Sequence, residues 1–336
     1  MIASSPRVVT VAAAHAAPVP LDLDATVEKA CGLVREAGEQ GIDLLVFPEV
    51  FLPGFPYWIN LYPPAQQFGL FGRYRDASVE VPGPVLARVQ DAARAARVNV
   101  VMGLSERDGG TLYNTQVHID EDGVLLGKHR KLQPTYAERY VWGQGDASTL
   151  SVFDTRLGRV GGLACWEHVM NLARQALIVQ GEQIHAAAWP GLQTQRGMEE
   201  SFDLQVEAMS RTHALSGQCF VVVAQNPLTQ DMVDLMEAEL GPQDIQPAGG
   251  GWSAIFNPDG TTAAGPHIGP EERLVSAEID LSRIDAIQAL VDARGHFARR
   301  DVLRLWVDDE PKTTLAPRAP HPDQPHPDPD FPRGPR

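Results

Sequence analysis

The stretch that decides the fold is GRVGGLACWEHVMNLARQAL, residues 158–177. A short apolar run, residues 160–164, leads directly to a single cysteine, Cys165, and a segment with apolar residues at helical spacing follows. A strand, a tight turn and a helix in this order present a nucleophile at a helix N-terminus, where backbone N–H groups and the helix dipole favour a thiolate. A lone cysteine is more often a buried core residue, so the rest of the chain decides its role.

Length and composition indicate a globular protein without a basic face. The chain has 336 residues, of which 43% are hydrophobic and 21% charged, and its formal net charge is −15. Nucleic acid or an anionic membrane surface as a partner would require clustered positive charge. No apolar run reaches the length of a transmembrane helix. We therefore expect no nucleic-acid and no membrane partner.

The cysteines indicate a reducing compartment. Cys31, Cys165 and Cys219 form neither a CxxC pair nor the Cys/His spacing of a zinc site, and such a sparse, odd number is typical of intracellular proteins. The run VVTVAAAHA, residues 8–16, is too short and too weakly charged at its start for a signal peptide. We expect a cytoplasmic protein with no metal or cofactor, because phosphate-loop and dinucleotide motifs are also missing from the sequence.

Apolar runs alternate with amphipathic segments, a pattern that indicates the α/β class. Runs typical of strands covered on both faces begin at residues 8, 43, 99, 159, 184 and 219. The layout of the hairpin at 115–127 recurs at 252–265, as two sheets with internal pseudo-symmetry would require. Two stretches rich in glycine and proline, 50–74 and 228–250, are predicted to be irregular.

Three polar residues directly follow predicted strands: Glu49, Lys131 and Cys165. Groups at the carboxyl ends of neighbouring strands converge on one crevice. There a thiolate attacks, a carboxylate moves protons and an ammonium stabilises negative charge. Each residue alone also has an ordinary interpretation, as a helix cap or salt bridge for the glutamate and a solvent-facing group for the lysine.

Longer strings make the interpretation specific. The chain closely resembles the nitrilase family in FPEVFLPGFPYW (47–58), HRKLQPTYAERYVWGQGD (129–146), CWEH (165–168), GEQIHAAAWP (181–190) and DARGHFARRDV (292–302). The resemblance implies a four-layer αββα sandwich of two mixed β-sheets with helices on the outside. It also implies a Glu-Lys-Cys triad, carried over here onto Glu49, Lys131 and Cys165.

The same resemblance suggests a second carboxylate, Glu138. We expect it to support Lys131 or orient the substrate, and the alternative is an ion pair with Arg139. A Cys–His pair of Cys165 with His129 or His168 ranks below the triad, because Glu49 already supplies a base.

Other residues are candidates for the substrate site. Trp166 supplies the backbone N–H beside the nucleophile, and Phe51, Tyr57, Tyr136 and Trp189 are candidates for a pocket wall. The chain departs from the family pattern where Asn171 and Arg300 replace prolines and Ala147 replaces a glycine. None of these changes removes a reacting group.

The function implied is that of a nitrilase, which converts an organic nitrile to the acid and ammonia through a cysteine thioimidate and thioester. Alternatives are a cyanide-degrading enzyme, an amide hydrolase of the same superfamily, and a non-catalytic assembly protein, for which an intact triad has no use. The resemblance implies a homo-oligomer, with dimers that extend into a spiral filament. We expect a catalytic domain over residues 1–310 and a proline-rich disordered tail over 311–336.

Overall fold

Residues 7–312 are described by the computed structural model of the chain. The strands of this part are β1 (Val8–His15), β2 (Leu44–Val46), β3 (Asn99–Asp108), β4 (Thr111–Ile119), β5 (Leu125–Arg130), β6 (Phe153–Thr155), β7 (Gly158–Ala164), β8 (Ile184–Trp189), β9 (Phe220–Gln225), β10 (Trp252–Phe256), β11 (Thr262–Ile268) and β12 (Arg273–Asp280). The helices are α1 (Leu23–Glu39), α2 (Phe68–Asp76), α3 (Pro84–Ala96), α4 (Asn171–Gln180), α5 (Phe202–Gly217), α6 (Gln230–Leu240) and α7 (Ser282–Gln288).

The strands form two six-stranded mixed sheets with the same internal pattern. The first has the order β12-β1-β2-β3-β4-β5 and the second the order β6-β7-β8-β9-β10-β11. In each sheet the second, third and fourth strands run parallel, and antiparallel neighbours flank them. This repetition confirms the predicted pseudo-symmetry.

The two sheets pack face to face, which explains the apolar runs. Alternate residues of a strand point to opposite faces. In β1, Val9 and Val11 enter the core between the sheets, whereas Ala12 and Ala14 enter the core beneath the helices of the first sheet. Both faces of such strands are covered, so neither requires a polar side chain.

Helices cover the outer faces. Residues of α1 and α3 share a core with the outer face of the first sheet. Residues of α5 and α6 share a core with the outer face of β9 in the second sheet, and that core also contains Cys165. The architecture is therefore the expected αββα sandwich. None of the helices in residues 7–312 is long and apolar enough to cross a membrane.

Two predicted irregular stretches contain helices. Helix α6 lies within residues 228–250, capped by Thr229 and buried through Met232 and Met236. Its several acidic residues and its neighbouring glycines obscured this spacing. Helix α2 lies at the end of the aromatic stretch 50–74. The predicted tail lies outside the described residues, apart from residues 311 and 312.

The helix after the cysteine begins later than predicted. Residues Cys165–Val169 form a 3-10 turn, and α4 begins only at Asn171. The thiol of Cys165 therefore does not lie at an α-helix N-terminus. Its polar environment comes from the side chains of other loops.

Candidate active site

Glu49 lies in the turn that begins shortly after the end of β2. It is almost completely buried, with 1% of its surface exposed. Its Oε1 accepts hydrogen bonds from Lys131 Nζ at 2.7 Å and from Asn114 Nδ2 at 2.6 Å. Its Oε2 is buried and has no hydrogen-bond partner among the described residues. The carboxylate is therefore held through one oxygen, and the other is available to receive a proton.

Lys131 immediately follows β5, where its backbone N–H donates to the carbonyl oxygen of Asn114. Its side chain is fully buried, and Nζ lies between Glu49 and Glu138, at 2.7 and 2.8 Å from their oxygens. A buried ammonium requires such partners, because removal from water alone would be very costly. The chain thus places its own cation between the two carboxylates.

Glu138 lies in the 3-10 turn Tyr136–Tyr140. Its Oε2 accepts the backbone N–H of Thr135 at 2.9 Å as well as the Lys131 hydrogen bond. Arg139 instead donates to the carbonyl oxygen of Pro134. The geometry therefore corresponds to the expected support of Lys131 and not to the alternative ion pair with Arg139.

Cys165 begins the turn after β7 and adopts a left-handed backbone conformation, with φ of 53°. Its side chain is completely buried. The sulfur and the nearest oxygens of Glu49 and Glu138 all lie within 4.8 Å of one another. The backbone N–H of Trp166 donates to the thiol. The structure thus brings the predicted carboxylates, ammonium and thiol into one cluster.

The electrostatics of the cluster favour a neutral thiol and a basic carboxylate. Burial raises the pKa of Glu49 to about 7 against the opposing effect of Lys131. Burial, with the help of Glu49, raises the pKa of Cys165 well above its ordinary value. Burial alone would lower the pKa of Lys131, but Glu138 and Glu49 outweigh it and raise that pKa well above normal. A thiol with a carboxylate of pKa near neutrality is a pair suited to proton transfer.

Glu167 joins the two loops that carry Lys131 and Cys165. Its Oε1 accepts the backbone N–H of Leu132 at 2.7 Å, and its Oε2 accepts that of Ala164 at 2.9 Å. Burial would raise its pKa, but His129 and these N–H groups hold the pKa below the ordinary value. Glu167 and Asn114 were not among the candidate residues, because no short sequence pattern marks a role for either of them.

The candidate aromatic residues separate into two groups. Tyr57 and Trp189 are buried in the same core as Cys165, and the half-buried Trp166 packs edge-on against Trp189. Phe51 instead packs on Phe47 in the core beneath α1 and α3.

Tyr136 is 80% exposed. The assignment of Phe51 and Tyr136 to the pocket wall stays a prediction, with Tyr136 at the surface of the single chain and Phe51 in the core beneath α1 and α3.

The two histidines considered as partners of the thiol point elsewhere. His129 Nε2 lies 3.1 Å from the Glu167 carboxylate, and His168 Nδ1 lies 2.6 Å from the carbonyl oxygen of Cys165. Neither ring forms a hydrogen bond with the sulfur among the described contacts. Of the bases considered from the sequence, the structure therefore places the Glu49 carboxylate, and neither ring, in the cluster with the thiol.

Comparisons with known proteins agree with the observed fold. The family model for carbon-nitrogen hydrolases matches residues 10–289. An aliphatic nitrilase of Rhodococcus rhodochrous is 41% identical over 298 residues, which cover 88% of this chain and 81% of that protein. An arylacetonitrilase of Aspergillus niger is 40% identical over 315 residues, or 93% and 92% of the two chains. The crystal structure of a carbon-nitrogen hydrolase from Helicobacter pylori G27 superposes with a TM-score of 0.67 at 19% identity, covering 89% of this chain and 99% of that one.

The αββα sandwich and the match along most of its length define the class: the chain belongs to the carbon-nitrogen hydrolase family. Within that family, its similarity to curated nitrilases assigns it to the nitrilase branch. The resemblance found in the sequence is thus confirmed.

Proposed function

We propose that this protein is a nitrilase that hydrolyses an organic nitrile to the carboxylic acid and ammonia. The observation that carries the proposal is the buried cluster of Cys165, Lys131 and two carboxylates, Glu49 and Glu138. The aliphatic nitrilase and arylacetonitrilase similar to this chain support the same reaction. The catalytic roles of the four residues are part of this proposal.

The first step forms a carbon–sulfur bond. Glu49 accepts the Cys165 proton as the sulfur attacks the nitrile carbon, because the high pKa of the thiol leaves too little thiolate without a base. One π bond of the nitrile breaks, and negative charge develops on nitrogen. Lys131 stabilises that charge by donating a hydrogen bond. The proton held by Glu49 then passes to the nitrogen, which gives a neutral covalent thioimidate and returns Glu49 to its ionised form.

The later steps release ammonia and then the acid. A water molecule loses its proton to Glu49 and adds to the thioimidate carbon, giving a tetrahedral carbon that bears sulfur, hydroxyl and amino groups. Expulsion of protonated nitrogen as ammonia leaves a thioester. A second water hydrolyses the thioester, which releases the acid and restores the thiol. Glu138 acts through Lys131 and through its negative charge near the leaving nitrogen.

The activity is tested by incubating the protein with a panel of aliphatic nitriles, aromatic nitriles, arylacetonitriles, cyanide and amides. We expect ammonia and acid from at least one organic nitrile, and loss of both products from Cys165→Ala. Turnover of cyanide alone would identify the cyanide-degrading alternative, and turnover of amides alone would identify the amide hydrolase. No turnover of any compound by a folded protein would contradict an enzymatic role.

We also propose that the protein is a homo-oligomer built from dimers that extend into a spiral. Large apolar side chains exposed on the single chain support this proposal: Leu172 and Val179 on α4, Leu204 and Leu215 on α5, and Leu303 and Trp306 near the end of the described part. Leu172 and Val179 are seven positions apart and so lie on one face of α4, and an apolar patch on a surface is typical of protein interfaces.

The catalytic domain is proposed to end near residue 310. Beyond it, residues 311–336 are proposed as a tail that takes no part in the core, because their composition is dominated by proline. A cytoplasmic location is proposed from the three free cysteines.

A further inference from the structure

A chain of buried titratable groups lies behind Cys165. We call it the histidine chain, and it consists of His168, His185, Glu182 and His213. His168 lies in the turn after Cys165, Glu182 precedes β8, His185 lies near the start of β8, and His213 lies on α5. All four are at most 2% exposed. The steps proposed for nitrile hydrolysis use none of them.

Hydrogen bonds connect the histidine chain to the backbone of the nucleophile. His168 Nδ1 lies 2.6 Å from the carbonyl oxygen of Cys165, and His168 Nε2 lies 2.9 Å from His185 Nε2. His185 Nδ1 lies 2.7 Å from Glu182 Oε1. The other oxygen of Glu182 lies 2.7 Å from His213 Nε2.

The positions of the protons follow from which atoms can donate. A carbonyl oxygen only accepts, so His168 must donate from Nδ1 to Cys165. A neutral His168 then presents a lone pair at Nε2, and His185 must donate to it from its own Nε2. An ionised Glu182 also only accepts, so His185 must donate from Nδ1 as well. His185 therefore carries a proton on both nitrogens.

The ionisation of the neighbours agrees with this assignment. Burial would raise the pKa of Glu182, but His185 and His213 lower it to about 2. Burial and the adjacent His185 lower the pKa of His168 well below normal. Burial and His185 likewise lower the pKa of His213 to about 4. The hydrogen bonds themselves assign the extra proton to the ring that contacts both His168 and the Glu182 carboxylate.

Three further groups face the histidine chain from other elements, namely His118 on β4, Arg174 on α4 and Cys219 before β9. Burial lowers the pKa of His118 to about 3 and raises that of Cys219, so both are neutral. Arg174 adds positive charge. Among the described contacts it donates no hydrogen bond to a member of the histidine chain. The negatively charged group that balances this positive charge is the carboxylate of Glu182.

A glycine of β7 makes space for that carboxylate. A Cβ atom on Gly161 would lie 2.3 Å from Glu182 Oε1, far inside contact distance. The first glycine of the Gly-Gly pair before Cys165 therefore accommodates the histidine chain.

We propose that His185 is a buried imidazolium, paired with Glu182, that acts through His168 as a positioning residue for the Cys165 turn. The proposal rests on the proposed role of Cys165 as nucleophile. The positive charge lies two hydrogen bonds from the Cys165 backbone and favours negative charge on the sulfur. Removal of the proton would leave two lone pairs facing each other at 2.9 Å, so the hydrogen bond that holds His168 would be lost.

The proton placement is tested by nuclear magnetic resonance of protein labelled with 15N in histidine, at pH 8. His129 also faces acceptors at both nitrogens, the Thr149 carbonyl oxygen and Glu167. We therefore expect two doubly protonated rings, one lost in His129→Gln and the other in His185→Gln. A spectrum with no doubly protonated ring, or only the one lost in His129→Gln, would overturn the proposal. This readout does not depend on nitrile hydrolysis.

The positioning role is tested by the rate at which iodoacetamide alkylates Cys165 as a function of pH, followed by mass spectrometry. Loss of the charge in His185→Gln should slow alkylation about tenfold at pH 7, which corresponds to a one-unit rise in the thiol pKa. His168→Gln interrupts the histidine chain at the ring next to Cys165 and should have the same effect. This second variant keeps the test decisive if His185→Gln does not fold.

His15→Gln provides the matched control. His15 is another fully buried histidine with two hydrogen bonds, to Ser253 and Gly269, and lies outside the histidine chain. Its alkylation profile should match the wild type, and an unchanged profile in folded His185→Gln and His168→Gln would refute the positioning role. If alkylation of Cys165 in the wild type leaves nitrile hydrolysis intact, the proposed function fails while the proton placement is judged by the spectra alone.

Discussion

Lys131 is a fully buried ammonium whose two carboxylate partners come from different loops. Removing one partner of a buried ion pair costs about 3–5 kcal/mol, because the remaining charge is left uncompensated. The three residues therefore stabilise each other's charges as well as the proposed transition state. Isosteric amides, which retain the shape and a hydrogen bond, are the variants best suited to separate the two roles.

The pH dependence of the reaction is expected to report Glu49. Its pKa is raised to about 7, and it must be ionised to accept the proton of Cys165. We expect kcat/KM to fall about tenfold per pH unit below 7 and to level off above it. A rate profile that is flat between pH 5 and 7 would contradict Glu49 as the base. Glu49→Gln, which cannot ionise, should be inactive at every pH.

The ratio of acid to amide is expected to report Glu138. If sulfur leaves the tetrahedral intermediate before nitrogen, the product is an amide. The negative charge of Glu138 favours protonated nitrogen as the leaving group. We predict a larger amide fraction from Glu138→Gln, measured by chromatography of both products from one nitrile. Arg139→Gln, a change at the neighbouring position, should keep the wild-type ratio, and an unchanged ratio in active Glu138→Gln would limit Glu138 to a structural role.

Single residues were predictable where a distinctive sequence motif contains them. Glu49, Lys131 and Cys165 each follow a strand within a distinctive string, so their convergence could be expected. Asn114 and Glu167 contact the site from positions that no short pattern connects to their partners. Their roles depend on tertiary contacts, from β4 for Asn114 and from the turn after Cys165 for Glu167, which the sequence does not specify.

At the scale of elements, β3 supports the loop that carries Glu49. A Cβ atom on Gly103 would lie 2.2 Å from the carbonyl oxygen of Pro48 and 2.7 Å from the backbone nitrogen of Val50. The contacts are to backbone, so no side-chain rotation relieves them. The absence of a side chain at Gly103 thus lets the Glu49 loop lie directly on the strand.

Gly103→Ala should therefore displace Glu49. We expect a loss of about 1–3 kcal/mol in the free energy of unfolding, as for other overpacked sites, together with a decrease in kcat. Gly69→Ala on α2 is the control, since a Cβ there meets nothing within 4 Å. Denaturant unfolding and steady-state kinetics measure both effects. Wild-type kcat in Gly103→Ala would show that the loop position is not critical.

Strands were easier to predict than the helices of the second half. Burial on both faces makes the strands of the sandwich continuously apolar, and this signal survives without knowledge of the tertiary structure. Helix α6 buries only a narrow apolar stripe, of which Met232, Val233 and Met236 are the buried members. Flanking glycines and prolines dominate the local composition there. The late start of α4 reflects the 3-10 turn that Cys165 requires.

At the scale of the whole molecule, the pseudo-symmetric pair of sheets brings strand ends from both halves to one site. Glu49 and Lys131 follow strands of the first sheet, and Cys165 follows a strand of the second. The three groups thus come from strand ends of both sheets and not from neighbouring strands of one sheet. The sandwich was predictable from its recurring hairpins, whereas the assembly of subunits has no comparable signal within one chain.

Deletion of residues 311–336 is expected to leave a folded and active protein. In the described part of this stretch, Lys312 donates a backbone hydrogen bond to Asp146 and forms an ion pair with the nearby Asp308. Circular dichroism and nitrile hydrolysis would compare the truncated and full-length proteins, and unfolding on deletion would contradict the domain boundary.

Light scattering of the full-length protein should show oligomers, and monomers alone would contradict the proposed assembly.

The most direct test of the central claim is the intact mass of the protein during turnover of a nitrile that the panel identifies. We predict a covalent adduct with the mass of the thioimidate or thioester, located by peptide mapping on Cys165 and absent from Cys165→Ala. Cys31→Ala should retain the adduct, because that thiol lies on α1 away from the cluster. Steady release of ammonia with no adduct on Cys165, or undiminished release by Cys165→Ala, would contradict the account.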